Sequence, residues 1–264
     1  MNQPDSAFLH QPGEQASEQA WRGGSRVAFF GGSFDPPHLG HLAVARAARD
    51  AFQLNRVLFA PVGAQPLKPE GSAASFEQRL AMTRLAIEGE PGFEVSLADA
   101  PKPAENRGLH PNYTIDTLEN LRAELAPECA LFCLMGADAF FGLRRWHRAA
   151  EIPFAAQLIV ASRPGQPPGQ MIDGLKAALP WGLTMALAPG GVKTESQIEV
   201  RAFVLVNPAG DRAPFYLLPG LDVEISASEI RARLHAISNT QAAGRDLMSA
   251  PVRAYIAQHR LYRS

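Results

Sequence analysis

Sulfhydryls are scarce: Cys129 and Cys133 are the only two cysteines in 264 residues. They stand four apart in the apolar run ALFCLMG, and two such thiols on an extended strand face the same way but lie too far apart to bridge. They read as buried thiols rather than metal ligands or redox partners, which suits a reducing cytoplasm. A net excess of charge of either sign is missing too. A formal net charge of −1 argues against a nucleic-acid coat or a membrane-surface patch, since both need an excess of Lys and Arg. Any anionic ligand must therefore be met by local basic groups. No run of 18 apolar residues could span a membrane. The opening stretch MNQPDSAFLHQPGEQASEQAWRGG lacks the basic start and apolar centre of a secretory signal. Residues 1–24 are expected to form a mobile polar leader ahead of a single domain over 25–264. No internal repeat is visible, and neither GxGxxG nor GxxxxGK[ST] occurs, so dinucleotide hydride transfer and P-loop chemistry are disfavoured.

What is present is an alternation of strands and helices. RVAFFGG from Arg26 reads as a buried strand broken by a glycine pair, and Leu39 through Ala51 carries Leu and Ala at helical spacing. NRVLFAP, FEVSL, ALFCLMG and QLIVASRP read as further strands, and FEQRLAMTRLAIEG and YTIDTLENLRAEL as helices. Continuous apolar strands between helices predict an α/β fold, a doubly wound Rossmann-like parallel sheet with helices on both faces. The stretch 164–214 is rich in Pro and Gly and is expected to elaborate the same domain. It contains a short helix at MIDGLKAAL and a strand, QIEVRAFVLV, that hairpins with FYLL. In VEISASEIRARL, Ser226 and Glu229 stand as a capping box for a helix running from just after Ser226 through Leu234. PVRAYIAQHRLY forms a last helix, with Pro251 in the favoured first turn.

The string GGSFDPPHLGH, residues 31–41, concentrates the chemistry. Gly31 and Gly32 let the backbone approach a phosphate closely, at the strand end where doubly wound sheets bind ligands. The helix that follows offers unpaired amides and a partial positive charge. His38 and His41, three apart near that start, would aim both imidazoles at one anion.

This string resembles the GG[ST]FDPxHxGH signature of the nucleotidyltransferases, in particular of the nicotinate-nucleotide adenylyltransferase family. ISASEIR at 225–231 resembles the family's ISSTxIR. PNYTIDTL resembles its SYT segment, GADAFFGLRRWH its GxDxxxxxxxW stretch, and ASRPG its strand-ending RPG. The likeness covers about residues 26–163 and 215–262. It implies adenylyl transfer from ATP to nicotinate mononucleotide, giving deamido-NAD and pyrophosphate. The ATP half would be held by Gly31, Gly32, Ser33, Phe34, His41, Gly136, Asp138, Ser226, Ser228 and Arg231. Ser33, Lys68, Tyr113, Thr114, Trp146 and Arg163 would hold the nicotinate mononucleotide, with Trp146 stacked on the pyridine ring and Tyr113 and Thr114 offering backbone groups to its carboxylate. His38, His41, Lys68 and Arg231 would be catalytic, neutralising charge on the transferring and leaving phosphates, and Mg²⁺ would come bound with ATP. No protein-held metal, nucleic acid or membrane is implied, while a homo-oligomer remains open. One departure stands out: the family's PPH[KR] is QPLK here, so Leu67 replaces a His and Lys68 keeps the cation. The rivals on this scaffold are a nicotinamide mononucleotide or phosphopantetheine acceptor, and a non-catalytic nucleotide-binding regulator.

Overall fold

The computed structural model describes residues 24–67, 70–103, 109–162, 168–188, 200–219, 225–236 and 247–263. Residues 1–23, Lys68 and Arg163 lie outside the described residues.

Eight strands make one sheet: β1 (Arg26–Gly32), β2 (Arg56–Pro61), β3 (Phe93–Val95), β6 (Ala130–Gly136), β7 (Gln157–Ala161), β8 (Thr184–Leu187), β9 (Arg201–Val206) and β10 (Arg212–Leu218). Their order is β3-β2-β1-β6-β7-β10-β9-β8. A separate two-stranded ladder pairs β4 (Lys102–Pro103) with β5 (Leu109–His110). The helices are α1 (Leu39–Phe52), α2 (Phe76–Ile87), α3 (Thr114–Glu124), α4 (Ala137–Phe141), α5 (Ile152–Ala155), α6 (Pro168–Ala178), α7 (Ala227–Ala236) and α8 (Ala250–Gln258), with a single 3₁₀ turn at Leu143–Arg145.

The central strands are apolar throughout because both of their faces are covered. On β1, Val27 and Phe29 join one buried cluster while Ala28 and Phe30 join the other. Period-two alternation thus splits a single run between two cores. Helix α1 buries Leu42, Ala45, Ala48 and Phe52, one stripe at three- and four-residue spacing. It stops where Gln53 takes a left-handed φ of 48°. Helix α2 starts from a full capping box: Gln78 N–H donates to Ser75 Oγ at 3.3 Å, and Ser75 N–H donates to Gln78 Oε1 at 2.9 Å. On α7 the Ser226 half of the expected box forms, with Glu229 N–H donating at 3.1 Å. The Glu229 carboxylate is taken by Arg233 one turn on, at 2.6 Å.

The sheet is parallel from β3 to β10 and antiparallel beyond, where β9 pairs with β10 and β8 with β9. The expected doubly wound parallel sheet is present, and the expected hairpin of QIEVRAFVLV with FYLL gives it an antiparallel edge. The reason is local: only the tight turn through Asn207 and Gly210 separates β9 from β10, and so short a loop can join only antiparallel strands. Asn207 Oδ1 accepts from Asp211 N–H at 2.9 Å, and Gly210 takes φ +90°. Among the described residues no helix is long and apolar enough to cross a membrane.

Candidate active site

From β1 the chain crosses to β2 on one side and later returns to β6 on the other, so the order reverses between β1 and β6. The crevice outside the carboxyl ends of such a pair is where doubly wound sheets take ligands. Gly32 ends β1 and Gly136 ends β6, and α1 and α4 begin just beyond them. At Gly31 a Cβ would stand 2.7 Å from the Phe29 ring, so only glycine lets the strand end lie this close.

Phe34 follows at φ 47°, a backbone state that bulky residues seldom adopt. Its ring is 1% exposed, edge-on to Phe30 at 5.6 Å and 4.9 Å from the ring of His41. Phe34 is therefore buried as a whole, and its ring anchors the turn rather than facing a nucleotide. Ser33 Oγ accepts from Gln65 Nε2 at 2.8 Å, tying the turn to the loop after β2. Leu67, in the position of the family's His, is exposed.

His38 caps α1 and is buried, and its ring stacks on His41 at 3.6 Å. The His38 backbone N–H donates to His41 Nδ1 at 3.1 Å. A nitrogen that accepts carries no proton, so the ring hydrogen of His41 sits on Nε2. Burial lowers the pKa of His38 to about 4, and burial plus the neighbouring His38 puts His41 well below the usual histidine range. Both rings are neutral at pH 7. With no anion beside them, burial disfavours a standing charge on either ring, and what the pair presents is N–H donors. A Cβ at Gly40 would come within 3.0 Å of His38 Nδ1, so the glycine makes room for the stack.

Helix α7 brings the second motif to the same turn. Arg231 Nη1 donates to the Asp35 carbonyl at 2.7 Å and Nη2 to Ser228 Oγ at 3.2 Å. Ser226 and Ser228 stand at or before the first turn of α7, and Asp138 is exposed in the first turn of α4. Lys68 and Arg163, expected to contribute cations, fall outside the described residues.

On the other side of the crevice, Tyr113 caps α3 and Thr114 is the first residue of that helix. The Tyr113 ring lies 4.3 Å from the ring of His147, and Trp146 is half-buried against the same apolar cluster as Tyr113. Asn112 pins this edge. Its N–H donates to the Ala64 carbonyl at 3.0 Å, its Oδ1 accepts from Ala64 N–H at 2.9 Å, and its Nδ2 donates to the Ala100 carbonyl at 3.1 Å.

Three buried polar residues carry structural weight that motif reading did not assign. Arg79, 2% exposed, donates to the carbonyls of Ser33 at 2.7 Å, Val62 at 2.7 Å and Ala74 at 3.3 Å. It braces the glycine turn, the end of β2 and the start of α2 from below. Its signal was available, for it falls in phase with buried Met82, Thr83 and Ala86 on the inner stripe of α2. Asp35, 3% exposed, accepts from Ala73 N–H at 2.7 Å and Ala74 N–H at 3.1 Å. Asp99 lies beneath Gly31 and accepts from the Thr117 hydroxyl, and burial pushes its carboxyl upward. It links the β1 end to the first turn of α3.

The cytidylyltransferase-like family matches residues 29–233. A curated relative from Laribacter hongkongensis, named "probable nicotinate-nucleotide adenylyltransferase", is 39% identical over 239 residues, spanning 90% of this chain and 94% of that protein. A protein of the same name from Pelobacter propionicus is 35% identical over 237 residues, spanning 90% and 98%. Among solved structures, Plasmodium falciparum nicotinic acid mononucleotide adenylyltransferase complexed with NaAD matches with a TM-score of 0.60 at 15% identity, over 90% of this chain and 97% of that one. At that identity the likeness concerns the fold.

Proposed function

Because this chain belongs to the nicotinate-nucleotide adenylyltransferases within the cytidylyltransferase-like family, and so moves the adenylyl group of ATP to nicotinate mononucleotide, we propose that the transfer runs in the crevice between the ends of β1 and β6. A phosphate oxygen of the mononucleotide attacks the α-phosphorus of ATP in line, the bond to the β-phosphate oxygen breaks, and pyrophosphate leaves. The substrate supplies its own nucleophile, so no covalent intermediate on the protein is needed.

The observation that carries this assignment is the stacked His38–His41 pair at the α1 start, with Arg231 fixed beside it. His41 Nε2–H is a fixed, neutral donor that strengthens as charge grows on the phosphates, and Arg231 supplies the standing positive charge. Gly31, Gly32, Gly136, Asp138, Ser226 and Ser228 complete the ATP half, with Phe34 anchoring the turn. Ser33, Tyr113, Thr114 and Trp146, with Lys68 and Arg163 by the family resemblance, take the acceptor, and Lys68 is the further catalytic cation. A divalent metal accompanies such nucleotides, and we assign Mg²⁺, carried by the phosphates and water. Residues 25–264 are taken as one domain acting in the cytoplasm.

The test is pyrophosphate release from ATP and Mg²⁺ with nicotinate mononucleotide, nicotinamide mononucleotide and phosphopantetheine offered separately. A strong preference for nicotinate mononucleotide is expected. Preference for another acceptor keeps the scaffold and reassigns the substrate, and silence with all three despite ATP binding would make the chain a regulator.

A further inference from the structure

The last described turn of the chain contributes a group that belongs to no motif. Tyr262 lies beyond α8 at φ 62°, and its phenol O–H donates to Asp35 Oδ1 at 2.8 Å. Burial beside the Asp35 carboxylate pushes this phenol far above its ordinary range, so it is a donor at any working pH. Two guanidiniums face the same carboxylate. Arg79, from α2, already donates to three carbonyl oxygens. Arg231, from α7, comes within 4.0 Å of Asp35 Oδ2 while its hydrogen bonds go to the Asp35 carbonyl and to Ser228.

We infer that Tyr262 is a positioning residue: by satisfying the buried Asp35 carboxylate with a neutral donor, it leaves the Arg231 guanidinium directed at the ATP phosphates. Without Tyr262 the buried Asp35 carboxylate keeps, among the described residues, only the Ala73 and Ala74 N–H donors, and a charge so thinly satisfied draws in the nearest cation. Arg79 is engaged, so that cation is Arg231. Closing the 4.0 Å separation would turn this long ion pair into a direct hydrogen-bonded one and withdraw the cation from the crevice. The inference rests on Arg231 serving ATP, as proposed above.

Tyr262→Phe keeps the ring and removes only the donor. Binding of a non-hydrolysable ATP analogue with Mg²⁺, measured by calorimetry, should weaken about tenfold, the loss expected of one hydrogen bond to a charged group. The ATP KM should rise in parallel and kcat should fall with it, as Arg231 leaves the transferring phosphates, while the acceptor KM and the melting temperature stay close to the parent. In a double-mutant cycle, adding Tyr262→Phe to Arg231→Ala should weaken the analogue no further, because the hydroxyl acts through the arginine. Unchanged analogue affinity in Tyr262→Phe, while Arg231→Ala weakens it, overturns this inference alone. So does full additivity in the double variant, or a fall in melting temperature with both KM values moving together. If Arg231→Ala itself leaves the analogue affinity unchanged, the assignment of Arg231 to ATP falls and this inference falls with it.

Discussion

The half of the crevice built on β1 and the half built on α3 are held in opposite ways. Beneath the β1 end, buried Arg79 and Asp35 bond to backbone groups of three segments, and the two histidines are locked by a stack and a backbone donor. The α3 edge is pinned at its backbone by Asn112, but its side chains are half-buried or exposed: the Tyr113 and His147 rings lie together, and Trp146 packs on the same apolar cluster as Tyr113. The difference matches two tasks. Charge that grows during phosphoryl transfer is best met by dipoles fixed in advance, since nothing then has to reorganise. A flat acceptor ring is recognised by apolar faces, each of which contributes little.

The contrast is broken most severely at His41. Removing one preorganised donor of this kind costs roughly 2.7–4 kcal/mol, so His41→Ala should lose about 10²–10³ in turnover. The ATP KM should move far less, since the donor works mainly in the transition state. Turnover within a few-fold of the parent, read as pyrophosphate release, would put the two halves on the same footing.

A second consequence of the rigid half is acid sensitivity. The folded-state pKa of His38 is about 4, against an ordinary 6.5. Between those values the unfolded chain binds more protons than the native one, so stability rises with pH across the window and falls as the solution is acidified from 6.5 toward 4. For His38 alone the loss by pH 4 approaches roughly 3 kcal/mol. Buried carboxylates also contribute at such pH, so the informative quantity is a difference. His38→Asn keeps a good capping residue and removes the titration. Urea unfolding at pH 7 and at pH 4.5 should show a shallower acid loss in the variant, and parallel losses would mean that His38 titrates normally in the folded protein.

Much of this architecture is legible in the sequence where a local rule decides it. The runs RVAFFGG and ALFCLMG coincide with β1 and β6, since a strand buried on both faces is apolar from end to end. Likewise the glycine turn with two histidines at a helix start could be read directly, because all of its members lie within eleven residues. The charge state of those histidines could not, for it depends on burial under Phe34. Nor could the Asp35–Tyr262 bond, whose partners are 227 residues apart, or the Arg79 brace on Ser33, 46 residues away. The mixed character of the sheet was half legible: the hairpin of β9 with β10 is a local signal, while the placement of β10 against β7 is a tertiary one.

The smallest effect belongs to the adaptable half, and its size is itself the test. Trp146 ends the 3₁₀ turn at Leu143–Arg145, its N–H donating to the Leu143 carbonyl at 2.9 Å, and its ring is half-buried against the cluster that includes Tyr113. Such a ring can fill space or offer a face to the pyridine. Aromatic pairs contribute about 0.5–1.5 kcal/mol beyond burial, so Trp146→Ala should raise the acceptor KM roughly 3- to 10-fold and leave the ATP KM alone. Trp146→Phe, which keeps a face of smaller area, should recover part of the loss. A variant that melts at lower temperature with both KM values unchanged would make Trp146 a packing residue. The α3 edge would then have to discriminate its acceptor through the backbone groups of Tyr113 and Thr114, and would be as rigid as the half it is contrasted with.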